Sequence, residues 1–116
     1  MSALTTHVLD TAAGKPARGL KIELFSLGEE RKQLFSGATN ADGRCDTALL
    51  SGSTFKPGRY ELLFHVADYF RGQGLKMADP PFLDQVPIRF GIAEKNQHYH
   101  VPLLISPYSY STYRGS

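Results

Sequence analysis

The sequence predicts an all-β protein, a β-sandwich of about seven or eight short strands with one short helix. Three observations carry that prediction. Eleven Gly and seven Pro among 116 residues cut the chain into short segments. Between these breaks the residues alternate apolar and polar with period two, as half-buried strands do. A single segment invites a helix. Hydrophobic residues make up 41% of the chain, enough for one core, and size scaling buries about two thirds of the open chain's surface. We therefore read a single domain over residues 1–116.

Taken in order, residues 3–10 read as the first strand, and Gly14-Lys15-Pro16 breaks the chain after it. Leu20, Ile22 and Leu24 share one parity, with Lys21 and Glu23 on the other. Glu29-Glu30-Arg31-Lys32 reads as a solvated hairpin loop, and residues 33–39 as the next strand. Asn40-Ala41-Asp42-Gly43 is a turn with Gly available for a positive φ. Tyr60, Leu62, Phe64 and Val66 form another apolar face, with Glu61 and His65 opposite. Residues 67–74 (ADYFRGQG) follow that strand and end in glycines, which suits a short helix with a Gly stop. Val86, Ile88, Phe90 and Ile92 alternate through residues 86–93. Residues 98–106 and the tail 108–114 complete the strands.

Several function classes are excluded at this stage. The formal net charge is only +2, and the basic residues are scattered, so no basic stripe for nucleic acid is expected. No stretch approaches 18 uncharged apolar residues, so no membrane span is expected. The opening MSALTTHVLDTAAG has neither a basic nor an apolar region of a signal peptide, and the tail is not a peroxisomal SKL. One cysteine, Cys45, suits a reducing compartment, so the cytoplasm is the expected location. Phosphate-loop, G-x-S-x-G and H-E-x-x-H motifs are absent from the sequence.

The chemistry-bearing residues are few. His98 and His100 are two apart in a strand pattern, so their imidazoles share a face. Three readings stand open: a solvated face, a metal-ligand pair with His7 as the natural third ligand, or acid–base groups. His7 shares its parity with Thr5 and Leu9. Arg44 follows the Asn40 turn, where an Arg is either solvated or holds a carbonyl or anion through its planar fork. Cys45 is read as a buried or incidental thiol, although Arg44 beside it could lower its pKa. His65 is read as ordinary surface or packing. The tail SPYSYSTYRGS carries three of the six tyrosines, which suits a last strand or a docked end better than a frayed one.

Three segments together resemble a known family. LTTHVLD followed by GKPA, the middle NADGR, and the closing HYHVPLL with SPYSYSTYRGS are similar to the transthyretin-like proteins, and the last to the 5-hydroxyisourate hydrolases among them. The likeness covers nearly the whole chain. Hormone carriers of the same superfamily replace the polar groups at His7, Arg44, His98 and His100 and extend past Tyr113-Arg114-Gly115-Ser116, so the hydrolases are favoured.

The resemblance implies an eight-stranded transthyretin-like (prealbumin-like) sandwich, paired by its edge strands into dimers, with two dimers forming a homotetramer. It implies active sites at the dimer–dimer interface and hydrolysis of 5-hydroxyisourate, with no cofactor and no metal. His7 and His100 are then the acid–base pair and Arg44 the carbonyl and oxyanion holder. His98 orients His100 or contacts substrate, Tyr113 binds substrate, and Ser116 offers its hydroxyl or the terminal carboxylate to a histidine.

Overall fold

A computed structural model describes residues 2–115. Its strands are β1 (Ala3–Asp10), β2 (Lys15–Pro16), β3 (Lys21–Leu27), β4 (Arg31–Ala38), β5 (Leu50–Ser51), β6 (Gly58–Phe64), β7 (Val86–Ile92), β8 (Tyr99–Ile105) and β9 (Tyr110–Thr112). A short helix, α1 (Val66–Gly72), follows β6. One sheet runs β2-β1-β8-β9, with β5 also on β1; the other runs β4-β3-β6-β7.

The expected sandwich is present, with nine hydrogen-bonded strands among the described residues where seven segments read as strands and the resemblance implied eight. The additional pieces are the two-residue strands β2 and β5, too short to show any alternation. Arg31 and Lys32 belong to β4 and not to a loop, because the hairpin turns within Gly28-Glu29-Glu30 and Leu27 pairs with Arg31. The helix begins at Val66, one residue before the expected start, and Gly74 stops it in a left-handed conformation with φ +84°.

The core lies between the sheets. Leu4 and Val8 of β1, Leu24 of β3, Leu62 and Phe64 of β6 and Leu103 of β8 are fully buried there. The helix adds Val66, Tyr69 and Phe70. Tyr69 donates its hydroxyl to Asp10 Oδ2 at 2.8 Å, which satisfies a carboxylate buried at the end of β1 and ties the helix to it. Burial and that carboxylate push the Tyr69 hydroxyl well above its ordinary pKa.

Two pairings position the site. β1 and β8 run parallel, which sets Thr5 opposite His100 and His7 opposite Pro102. The other edge of β1 is covered in sequence by β5, by a single bridge between His7 and Arg44, and by β2.

Candidate active site

β1 alternates strictly. Leu4, Thr6, Val8 and Asp10 point into the sandwich, and Thr5, His7 and Leu9 lie half-buried on the outer face. His7 Nε2 lies 2.7 Å from the Asp42 carbonyl oxygen. A carbonyl only accepts, so Nε2 carries the proton and a neutral His7 keeps its lone pair on Nδ1.

The NADGR turn is built to deliver Arg44 beside His7. Asn40 Oδ1 accepts from the backbone N–H of Asp42 and of Arg44, at 2.9 and 3.2 Å. Gly43 has φ +78°, and a Cβ there would collide with the Val8 carbonyl oxygen. Only Gly permits the turn to lie this close to β1, where Val8 N–H donates to the Gly43 carbonyl at 2.8 Å.

His100 projects from β8 onto the same outer face. Its Nδ1 lies 2.9 Å from Thr5 Oγ1, and His98 Nε2 lies 3.2 Å from that same oxygen. His98 sits just before the strand and is exposed, whereas His100 is half-buried. Burial holds the His100 pKa below its ordinary 6.5, and the charges of Arg44, His7 and His98 act in the same direction. His100 is therefore a neutral imidazole at pH 7. Gly115 donates its N–H to the His100 carbonyl at 2.8 Å, and a Cβ on it would fall 2.6 Å from His100 Cδ2. The glycine before the last residue thus makes room for the ring.

A cavity of about 370 Å³ opens beside these groups, lined by Thr5, Thr6, Arg44, Cys45, Asp46 and His98 among others. A larger one, about 550 Å³, lies away from them, and its lining of Lys, Leu, Ser, Thr and Tyr side chains holds no imidazole or carboxylate. The smaller cavity carries one imidazole, His98, and one carboxylate, Asp46; His7 and His100 stand outside its lining. Cys45 lines it, but burial and Asp46 push the thiol pKa up, opposite to what its Arg44 neighbour suggested.

The structure brings His7, Arg44, His98 and His100 to one sheet face. It places Tyr113, 62% exposed, against a separate cavity with Tyr99, Val101 and Arg114. Ser116 lies outside the described residues. Among the described residues no three His, Cys, Asp or Glu side chains gather to hold a metal ion. Sequence reasoning missed Thr5 and Gly115. Thr5 shares the parity of His7, but only the β1–β8 register shows what it faces.

A neutral imidazole, a second imidazole with one nitrogen unengaged among the described residues and a guanidinium on one face can move a proton and stabilise a nearby oxyanion. The sequence matches the HIUase/Transthyretin family over residues 4–115. The chain belongs to that family. It is 68% identical to a protein of Mesorhizobium japonicum named 5-hydroxyisourate hydrolase, over 97% of this chain and 91% of the relative. The solved structure of Klebsiella pneumoniae 5-hydroxyisourate hydrolase superposes with a TM-score of 0.82 at 36% identity, covering 100% of both chains. A crystal structure of (S)-allantoin synthase gives a TM-score of 0.94 at 45% identity over 99% of this chain. This chain spans 44% of the length of that one.

Proposed function

We propose that this protein is a hydrolase that opens 5-hydroxyisourate to 2-oxo-4-hydroxy-4-carboxy-5-ureidoimidazoline in urate degradation, without a cofactor. The observation that carries the reading is the gathering of His7, Arg44 and His100 on one outer sheet face, in a chain 68% identical to a named 5-hydroxyisourate hydrolase.

Water attacks a ring carbonyl, forming a C–O bond, and the ring C–N bond then breaks. A neutral imidazole takes the water's proton; His100 Nε2 and His7 Nδ1 are the two lone pairs on offer. Arg44 holds the carbonyl oxygen as negative charge develops on it. The protonated imidazole then returns a proton to the leaving nitrogen. Tyr113 contributes its ring and hydroxyl to substrate binding, and Ser116 supports a histidine.

The assembly is a homotetramer, a dimer of dimers, with the histidine faces meeting at the dimer–dimer interface. Edge strands β7 and β9 carry unpaired backbone groups within one chain, which supports pairing through them. No described helix is long and apolar enough to cross a membrane. A cytoplasmic location belongs to the same proposal and rests on the free thiol of Cys45.

The test generates 5-hydroxyisourate from urate with urate oxidase and follows the decay of its ultraviolet absorbance. Decay well above the spontaneous rate, lost in His7→Ala, supports the hydrolase. A folded tetramer that leaves the decay unchanged overturns it and favours a binding protein.

A further inference from the structure

We propose that the Thr5 hydroxyl is a proton relay between His100 and His98, carrying the proton that His100 takes from water out to the exposed imidazole. The inference rests on the hydrolase reading above and extends it to a residue that acts through the two imidazoles.

The geometry is that of a relay. One hydroxyl oxygen stands 2.9 Å from His100 Nδ1 and 3.2 Å from His98 Nε2. Oγ1 has a single proton and two lone pairs, so it can accept from one imidazole while donating to the other. With His100 protonated on Nδ1 and donating to Oγ1, and Oγ1 donating to His98 Nε2, the His100 Nε2 lone pair is free. No described residue occupies that nitrogen. When Nε2 takes a proton from water, the Nδ1 proton moves to Oγ1 and the hydroxyl proton moves to His98 Nε2. The attacking hydroxide joins the ring carbonyl. The net change is one proton on His98 and none on His100. The reverse sequence returns a proton from Nε2 to the leaving nitrogen.

The surroundings favour this division. His100 is half-buried and faces like charge from Arg44 and His7, which disfavours an imidazolium there. His98 is exposed, so its imidazolium is solvated. Among the described residues, the other charged or titratable groups near the pair include Cys45 and Asp46, which line the cavity, and Arg114, which donates to the His98 carbonyl at 3.3 Å. Asp46 is the one carboxylate in that lining.

The decisive variants are Thr5→Val, which keeps the shape and removes the hydroxyl, and Thr5→Ser, which restores it. Thr5→Val is expected to lower kcat by about 10²-fold with little change in KM, and Thr5→Ser to recover most of the loss. The pH–rate profile should change with Thr5→Val, because His100 then titrates without its coupled partner. Should Thr5→Val fail to fold, His98→Gln removes the outer end at an exposed site. Its rate should fall and rise again with added imidazole buffer. Wild-type kcat and an unaltered pH profile in Thr5→Val, or buffer-independent wild-type kcat in His98→Gln, would overturn the relay and leave the hydrolase standing. Failure of the wild-type protein to turn over substrate strikes the hydrolase instead. Imidazole ¹⁵N titrations then still decide the linkage: coupled His98 and His100 curves that separate in Thr5→Val support it, and independent curves in the wild type overturn it.

Discussion

His65 and His100 sit on the outer faces of opposite sheets, and their fates differ. His65 Nε2 lies 2.7 Å from Glu23 Oε1, and that contact, more than any other, holds the Glu23 carboxyl below its ordinary 4.5. Nearby, Glu61 is almost wholly buried and receives Arg31 at 2.7 Å and Arg89 at 3.0 Å. The Arg31 hydrogen bond leads in holding its carboxyl below 4.5 as well. Arg31 also lies 3.5 Å above the Phe25 ring. On this face Glu61 has two counter-charges and Glu23 a hydrogen-bonding imidazole. On the β1–β8 face His100 meets a hydroxyl, and Arg44, His7 and His98 disfavour its protonated form. Pairing fixes protons in place, whereas a neutral, unpaired imidazole can exchange one. On the proposed reading, that difference makes one face structural and the other reactive.

The largest expected effect breaks the reactive face. His7→Ala or His100→Ala should lower kcat by about 10²–10⁴-fold while the β-sheet circular dichroism persists. Arg44→Ala should fall in the same range, through lost oxyanion support.

The structural face should respond in stability and not in rate. Glu61→Ala is expected to cost about 1–3 kcal/mol in urea unfolding, with unchanged kcat; its two arginine partners are 47% and 73% exposed and can be hydrated when it is gone.

The two faces should also separate by pH. Glu61 and Glu23 are held below 4.5, so their stabilisation is complete above 4.5 and is lost as the pH falls below it. His100 is held below 6.5, so it stays neutral at pH 7, and kcat should decline only as the pH falls below 6.5. By the same sign His100 draws some stability from the fold below 6.5, and His100→Ala should remove that part of the loss. Parallel pH–rate and pH–unfolding curves measure both windows; coincident midpoints would erase the distinction between the faces.

The smallest effect is at His65. His65→Gln should leave kcat unaltered and change stability by about 0–1 kcal/mol, since it removes one partly exposed pair.

The strands were legible because alternation is local: one residue in, the next out, as in β1 and β6. The same locality let the sequence alone place His98 with His100 and His7 with Thr5, and it located the glycine turn before Arg44. Local pattern carries no information about which strands become neighbours. The two-residue β2 and β5 exist only because β1 has an edge to cover, and Arg44 meets His7 only because that cover leaves a gap between them. Thr5 and His100 stand 95 positions apart, and the parallel register of β1 on β8 alone puts a hydroxyl between two imidazoles. Whether a histidine has a carboxylate partner is likewise a property of its surroundings: His65 and His100 are the same residue type, and tertiary packing gave one a carboxylate and the other a half-buried place beside Arg44.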